Sequence, residues 1–226
     1  MRSPSITPPL LLAIGLMLAP SVSRAQFTTY NSLSSFTAAL NTTGVDSFNN
    51  LRQQVVTPTP LVRTAGAFAY TVSVDTSGFF SVGPAADAWL STEYATATIT
   101  FNNFLPSVRG IGGSFFNTDF SGAFFPGQTI TLTATDANGV STMSFVSATS
   151  ATFFGFVSVG KITSLTVFAV QPVDDFAFPT VNNLVLGSGQ PSSTVPEPHT
   201  FVLLAVGLAA VLARRRRAAT FAALTE

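Results

Sequence analysis

Between Gln128 and Phe145 the chain reads QTITLTATDANGVSTMSF, and its side chains alternate with a period of two. Thr129, Thr131, Thr133 and Thr135 fall on one face of an extended segment, and Ile130, Leu132 and Ala134 fall on the other. A helix would smear this pattern around its circumference, so the segment is committed to a half-buried strand. Asp136-Ala137-Asn138-Gly139 then reads as a hairpin turn, with Asn138-Gly139 as the expected positive-φ pair. The same alternation runs through YATATITFNNF, where Ala95, Ala97, Ile99 and Phe101 oppose Tyr94, Thr96, Thr98 and Thr100. TFFGFVSVGKITSLTVFAV predicts two strands bent at Gly160-Lys161, and TVNNLVLG predicts a final strand. Helical spacing occurs once in the body, over Ser32–Leu40, where Leu33, Phe36 and Leu40 share a face and Asn31 or Ser32 supplies the N-cap. Many short strands with regular turns and one short helix predict an all-β fold, an antiparallel β-sandwich or jelly roll.

The chain has no cysteine, so such a sandwich must hold without disulfides, and thiolate metal sites and cysteine nucleophiles are excluded. Phenylalanine is the expected substitute. There are 22, and doublets stand at 79–80, 115–116, 124–125 and 153–154. Neighbours on a strand point to opposite faces, so no doublet buries both rings in one core. A helix or loop must cover the second face, or rings must stay exposed. Each buried ring is worth about 1.5–3 kcal/mol, enough for a dozen to replace covalent staples. With 46% hydrophobic and 9% charged residues, the bulk of the chain is not disordered. The 226 residues suit one domain with extensions.

Charge is unevenly placed. From Gln26 to Val195 there are eight acids (Asp46, Asp75, Asp87, Glu93, Asp119, Asp136, Asp174 and Asp175) against Arg52, Arg63, Arg109 and Lys161. That body carries −4, and it lacks the clustered cations that phosphate neutralisation needs. No nucleic-acid partner is expected.

Both ends read as targeting devices. At the N-terminus, Arg2 precedes the apolar run Leu10–Ala19, Pro20 stops any helix, and Ser23 and Ala25 set small residues at the −3 and −1 positions. Residues 1–25 are therefore expected to be a signal peptide removed by signal peptidase, with the mature chain starting at Gln26. At the C-terminus, GSGQPSST opens a small-polar linker expected over residues 187–194. Val195-Pro196-Glu197-Pro198 follows, then the uncharged stretch 200–213, then Arg214, Arg215, Arg216 and Arg217. Fourteen residues make a helix of about 21 Å, short of the ~30 Å hydrocarbon core. Snorkelling arginines and local thinning make insertion workable, and Gly207 permits close approach of another helix. The four arginines act as a membrane stop, so residues 218–226 stay cytoplasmic and the body faces outward.

Val195 to Arg217 resembles the PEP-CTERM sorting signal of Gram-negative bacteria. The resemblance implies recognition of Pro196, Glu197 and Pro198 by an exosortase, a membrane-embedded transpeptidase-like partner, and tail removal near that motif. The segment AATFAALTE after the arginines departs from the family, whose tails end shortly after the basic cluster. More loosely, SFFNTDFSGAFFPGQTITLTATDANG, GFVSVGKITSLTVFAV and FPTVNNLVLG resemble the exported β-sandwich domains common among such proteins. Those domains often close with an Asp-Asn strand where this chain has Asn182-Asn183.

The body, residues 26–186, holds no histidine, so serine triads and histidine-ligated zinc are excluded; His199 reads as an interfacial polar residue beside the motif. No catalytic residue, cofactor or metal site is assigned. Asp174-Asp175 reads as solvated loop charge, and the pairs Asp136/Asn138 and Asn117/Asp119 are the nearest approach to calcium ligands. Trp89, Tyr94 and the outer ring of a Phe doublet are candidate sugar platforms, with Trp89 first because its neighbours are polar. The expectation is thus an exported, non-enzymatic protein of the cell surface or the exopolysaccharide matrix. The alternatives are a carbohydrate-binding module, a two-carboxylate glycosidase, or an uncleaved single-pass membrane protein. N-terminal sequencing of exported protein should begin at Gln26, and exported material that retains Met1 would contradict the cleavage.

Overall fold

A computed structural model describes residues 27–189; the expected signal peptide, sorting motif and membrane helix lie outside the described residues. In chain order the elements are β1 (Phe27–Tyr30), α1 (Leu33–Ala38), β2 (Leu40–Asp46), β3 (Val56–Pro58), β4 (Leu61–Ala65) and β5 (Phe68–Val74). Next come β6 (Gly78–Val82), β7 (Trp89–Thr92), β8 (Ile99–Asn102), β9 (Val108–Thr118) and β10 (Thr129–Asp136). The last are β11 (Val140–Val146), β12 (Phe153–Ser158), β13 (Ile162–Ala169) and β14 (Phe178–Gly189). They form two antiparallel sheets packed face to face. Sheet A runs β1-β12-β9-β14-β7-β6-β3 with β2 also on β14, and sheet B runs β11-β10-β13-β8-β5-β4.

The threonine alternation is realised as expected. Ile130, Leu132 and Ala134 are fully buried, and β10 meets β11 in an unbroken register from Thr129↔Val146 to Thr135↔Val140. Its turn is built differently from the sequence expectation. Asn138 does not adopt positive φ and Gly139 is close to extended at φ 159°. The Asp136 carboxylate organises the loop instead, its Oδ1 accepting the N–H groups of Asn138 at 2.7 Å and Gly139 at 2.9 Å. The 94–101 segment also keeps its buried alternation but pairs only from Ile99, because Ala97 N–H turns back to the Tyr94 carbonyl at 3.1 Å. Gly160-Lys161 divides two strands, and these lie in different sheets, so the chain crosses the sandwich there.

The Phe doublets explain the third layer. Phe79, Phe115 and Phe154 point between the sheets, while Phe80, Phe116 and Phe153 lie on the outer face of sheet A. One end of that face is covered by α1. Its N-cap Ser32 accepts the Ser35 N–H at 3.3 Å, but six residues are too few for a helix to stand alone. Phe36 holds it down, packed against Tyr30 and Phe153 with ring centroids 6.0 and 5.2 Å away. The sheet below is cleared by glycines: a Cβ on Gly155 would come within 2.6 Å of Phe36, and one on Gly187 within 2.6 Å of Leu40. This contact also moves the end of the body. Gly187, Ser188 and Gly189, assigned to the linker by composition, are the last residues of β14 and pair with β2, where Gly187 lets Leu40 seat.

A polar clasp joins the sheets at one corner. Asp46 on β2 receives Arg63 Nε at 2.6 Å and Nη2 at 2.7 Å from β4, and Tyr70 Oη at 2.6 Å from β5. Phe48 N–H donates to the same carboxylate at 3.0 Å, and its ring lies 5.0 Å from the guanidinium carbon. Burial by itself would raise the Asp46 pKa. The hydrogen bonds from Arg63, Tyr70 and Phe48 outweigh burial and hold it below the usual carboxylate value. Burial first, then the Asp46 charge, pushes the Tyr70 phenol up and keeps it protonated.

A carboxylate depressed in the folded state stabilises above its unfolded pKa of about 3.9, and that stability disappears as pH falls through the folded value. Urea midpoints should therefore fall between pH 5 and 2 in the wild type and change less in Asp46→Asn. Equal acid sensitivity of the two would contradict the clasp. Arg63→Met, which leaves the Asp46 charge buried and unpaired, should cost about 3–5 kcal/mol at pH 7.

Candidate functional site

The end of sheet A away from α1 carries the site. Strand alternation brings Phe80, Val82, Ser91, Thr118 and Phe178 to its outer face, and the segment after β9 folds over them. That segment is a tight hairpin with an Asx cap. Asp119 Oδ1 accepts from Ser121 N–H at 2.8 Å, Ser121 Oγ at 2.6 Å and Ala123 N–H at 3.0 Å, and Asp119 N–H donates to the Ala123 carbonyl at 2.9 Å. Gly122 sits at φ +80°, and a Cβ there would press within 2.8 Å of Val82. The hairpin lays Phe124 on Phe116, at 6.4 Å between centroids, and holds Phe120 at its tip.

Phe120 is 85% exposed, 6.4 Å from Phe178. It forms a ridge between two hollows. One, of about 290 Å³, is lined by Phe80, Phe120, Phe178, Ser91, Thr92, Glu93 and Asp119; the other, of about 520 Å³, adds Gln53, Gln54 and Ser121 and shares Phe80 and Phe120. Among the described residues no lysine or arginine lines either hollow, whereas two carboxylates line the first. The floor is internally satisfied: Thr180 Oγ1 donates to Ser91 Oγ at 2.9 Å, and Ser91 Oγ donates to the Pro179 carbonyl. Glu93 accepts a short hydrogen bond from Ser77 Oγ. A wider hollow of about 640 Å³ lies over Asp46 and Arg63, but those groups already bind one another and Asn50.

The structure redistributes the sequence candidates. Trp89 is only 8% exposed, packed edge-on to Phe116 at 4.9 Å, so its ring offers no platform. Its polar neighbours serve the indole instead: Nε1–H donates to Asp87 at 3.0 Å, and Asp87 also accepts Asn182 Nδ2 at 3.1 and 3.2 Å. An aspartate at position 182 would face the Asp87 carboxylate, so the amide suits this site. Tyr94 is exposed but does not line the groove, whereas Phe80, the outer ring of its doublet, does. Asp174 and Asp175 lie in the exposed loop before β14. Asp136 is engaged by its own turn and by Ser158, and Asn117 is buried away from Asp119's cap. Among the described residues no three His, Cys, Asp or Glu side chains gather where a cation would sit.

Sequence reasoning missed Phe120, Glu93 and Asp119 as neighbours. Asp119-Phe120-Ser121-Gly122 carries an Asx-turn signature that marks a loop tip, but nothing local says which strands it folds across.

Residues 194–217 match the family model of the PEP-CTERM protein-sorting motif. No curated protein and no solved structure matches the chain. The match identifies a C-terminal sorting signal of an exported protein, of the kind that Gram-negative bacteria process through an exosortase.

Two substitutions separate core from site. Trp89→Ala should lower unfolding stability by about 3–5 kcal/mol, whereas Phe120→Ala should change it by less than about 0.5 kcal/mol. Urea denaturation of both reads the difference, and comparable losses would contradict the placement of the two rings.

Proposed function

We propose that this is an exported, non-enzymatic protein of the extracellular polysaccharide matrix that holds uncharged saccharide chains in the groove around Phe120. In this reading the signal peptide ends at Ala25, the 200–213 helix is a transient anchor, and the sorting tail delivers the body to the cell surface. The observation that carries the ligand is the lining. Phe80, Phe120 and Phe178 offer apolar ring faces, and Glu93, Asp119, Gln53 and Ser121 offer acceptors around them. A pyranose has the complementary surface, one C–H face and a rim of hydroxyl donors. The absence of a lining cation, with two carboxylates present, disfavours an acidic polymer. Phe120 sits on a hairpin fixed by its own hydrogen bonds, so little ordering entropy is lost on contact.

Glu93 and Asp119 share one groove, which keeps a glycoside-cleaving reading in play. Asp119 Oδ1 is committed to three donors of its own loop and Glu93 to Ser77, so both carboxylates serve the architecture. Unchanged neutral polysaccharide after long incubation supports binding alone; released reducing ends that vanish in Glu93→Gln would establish the enzyme.

Affinity electrophoresis tests the ligand. Gels containing a neutral polysaccharide should retard the protein, Phe120→Ala should weaken retention about tenfold, and Phe168→Ala on sheet B should not. Equal retention of Phe120→Ala and wild type, or no retention by any neutral polymer, would contradict the assignment.

A further inference from the structure

Sheet B ends at β11, and among the described residues β11 has a single neighbour, β10. An edge strand presents a row of unpaired N–H and C=O groups, and folded proteins blunt such edges with proline, charge, bulges or brevity. The other edges among the described residues do so, and β2, which pairs only with β14, packs Gly44 against Ala65 of β4 and ends in Asp46, held by Arg63. β1 has four residues, β3 contains Pro58, and β4 follows Pro60 and carries Arg63. β11 has none of these devices. It is seven residues long, reads VSTMSFV, and keeps an unbroken register with β10. Residues 137–160 contain no Asp, Glu, Lys or Arg at all.

Its side chains are also incompletely covered. Met143 and Phe145 pack against the main core, with Phe145 stacked on Phe154, yet both remain only partly buried. Val140 and Val146 on the outer face are 56% and 66% exposed. One further strand beside β11 would cover the half-buried pair and satisfy the backbone edge.

The sequence of β11 specifies what that strand is. Reversed about Met143, its outer face matches itself in kind, while on the inner face Ser141 meets Phe145. In an antiparallel pair with a second copy, Val140 falls opposite Val146, Ser141 opposite Phe145, Thr142 opposite Ser144, and Met143 opposite Met143. Apolar meets apolar and hydroxyl meets hydroxyl on the outer face, and no charge is buried. We propose that the protein pairs with a second copy of itself through β11, antiparallel about a two-fold axis at Met143, so that sheet B continues across two molecules. This surface is independent of the saccharide groove, which lies on sheet A.

Because the chain has no cysteine, a single introduced thiol reports the register. In full-length protein in detergent, Met143→Cys places two thiols on residues whose Cα atoms are about 4.5–5.5 Å apart, within disulfide reach. Val140→Cys places its copies about 20 Å apart, six residues out of register. Mild oxidation should cross-link Met143→Cys at least about tenfold faster than Val140→Cys; equal rates would overturn the proposal. Should Met143→Cys fail to fold, sedimentation velocity on exposed-face variants decides. Thr142→Lys with Ser144→Lys sets lysines opposite each other twice and should weaken the dimer about tenfold. Thr142→Lys with Ser144→Glu should restore it. A wild type that stays monomeric at every concentration, or a double-lysine variant that dimerises like wild type, also overturns it.

Discussion

A strand turns successive side chains to opposite faces, and three phenylalanine doublets in sheet A turn that rule into the main constraint on the fold. Phe79, Phe115 and Phe154 supply the core between the sheets. Phe80, Phe116 and Phe153 then leave the other face apolar, and water cannot be left against it. Two covers answer this need. The short helix α1 shields Phe153, and the hairpin after β9 shields Phe116. Sheet A is consequently buried on both sides over much of its area, which supplies the apolar burial that a cysteine-free exported body needs. The groove arises from the second cover, which ends at Phe120 and leaves Phe80 and Phe178 flanking an open channel.

Much of this was readable from local pattern. The threonine ladder of β10, the Ser32 cap, the buried Phe36 and the demand for a second cover all rest on spacings of two, three or four residues, although the helix expected to reach Leu40 stops at Ala38 and Leu40 opens β2. What could not be read depends on contacts remote in sequence. Asp46, Arg63 and Tyr70 lie on three strands of two sheets, and no spacing announces their clasp. Trp89 has the polar neighbours of an exposed ring, yet those neighbours bond its indole and Asn182 beneath the hairpin. The Gly-Ser composition at 187–189 reads as linker, but a missing Cβ at Gly187 makes room for Leu40 and keeps the strand going. Positive φ was expected at both Asn138 and Gly139; only Gly139 has it, at 159°, and the Asp136 carboxylate organises the loop around them.

The two proposed surfaces divide the sandwich between them. Sheet A offers a rigid aromatic groove with acceptors and no cation, and sheet B offers an uncharged, self-complementary edge. A protein that holds saccharide on one sheet and a copy of itself through the other would be bivalent towards a polymer. Bivalence raises retention in a matrix without any new contact. Both surfaces matter biologically only if the body reaches the outside of the cell, and that rests on the tail.

The matched motif at residues 194–217 is the element on which delivery depends. Its direct test compares wild type with a chain lacking residues 194–226, expressed in an exosortase-bearing Gram-negative host, by cell fractionation and intact mass. The wild type should appear at the surface or in the medium with a mass short of the tail beyond Pro196-Glu197-Pro198, and the truncated chain should fail to reach that destination. Identical location of the two chains, with the wild-type tail still attached, would contradict sorting through this motif.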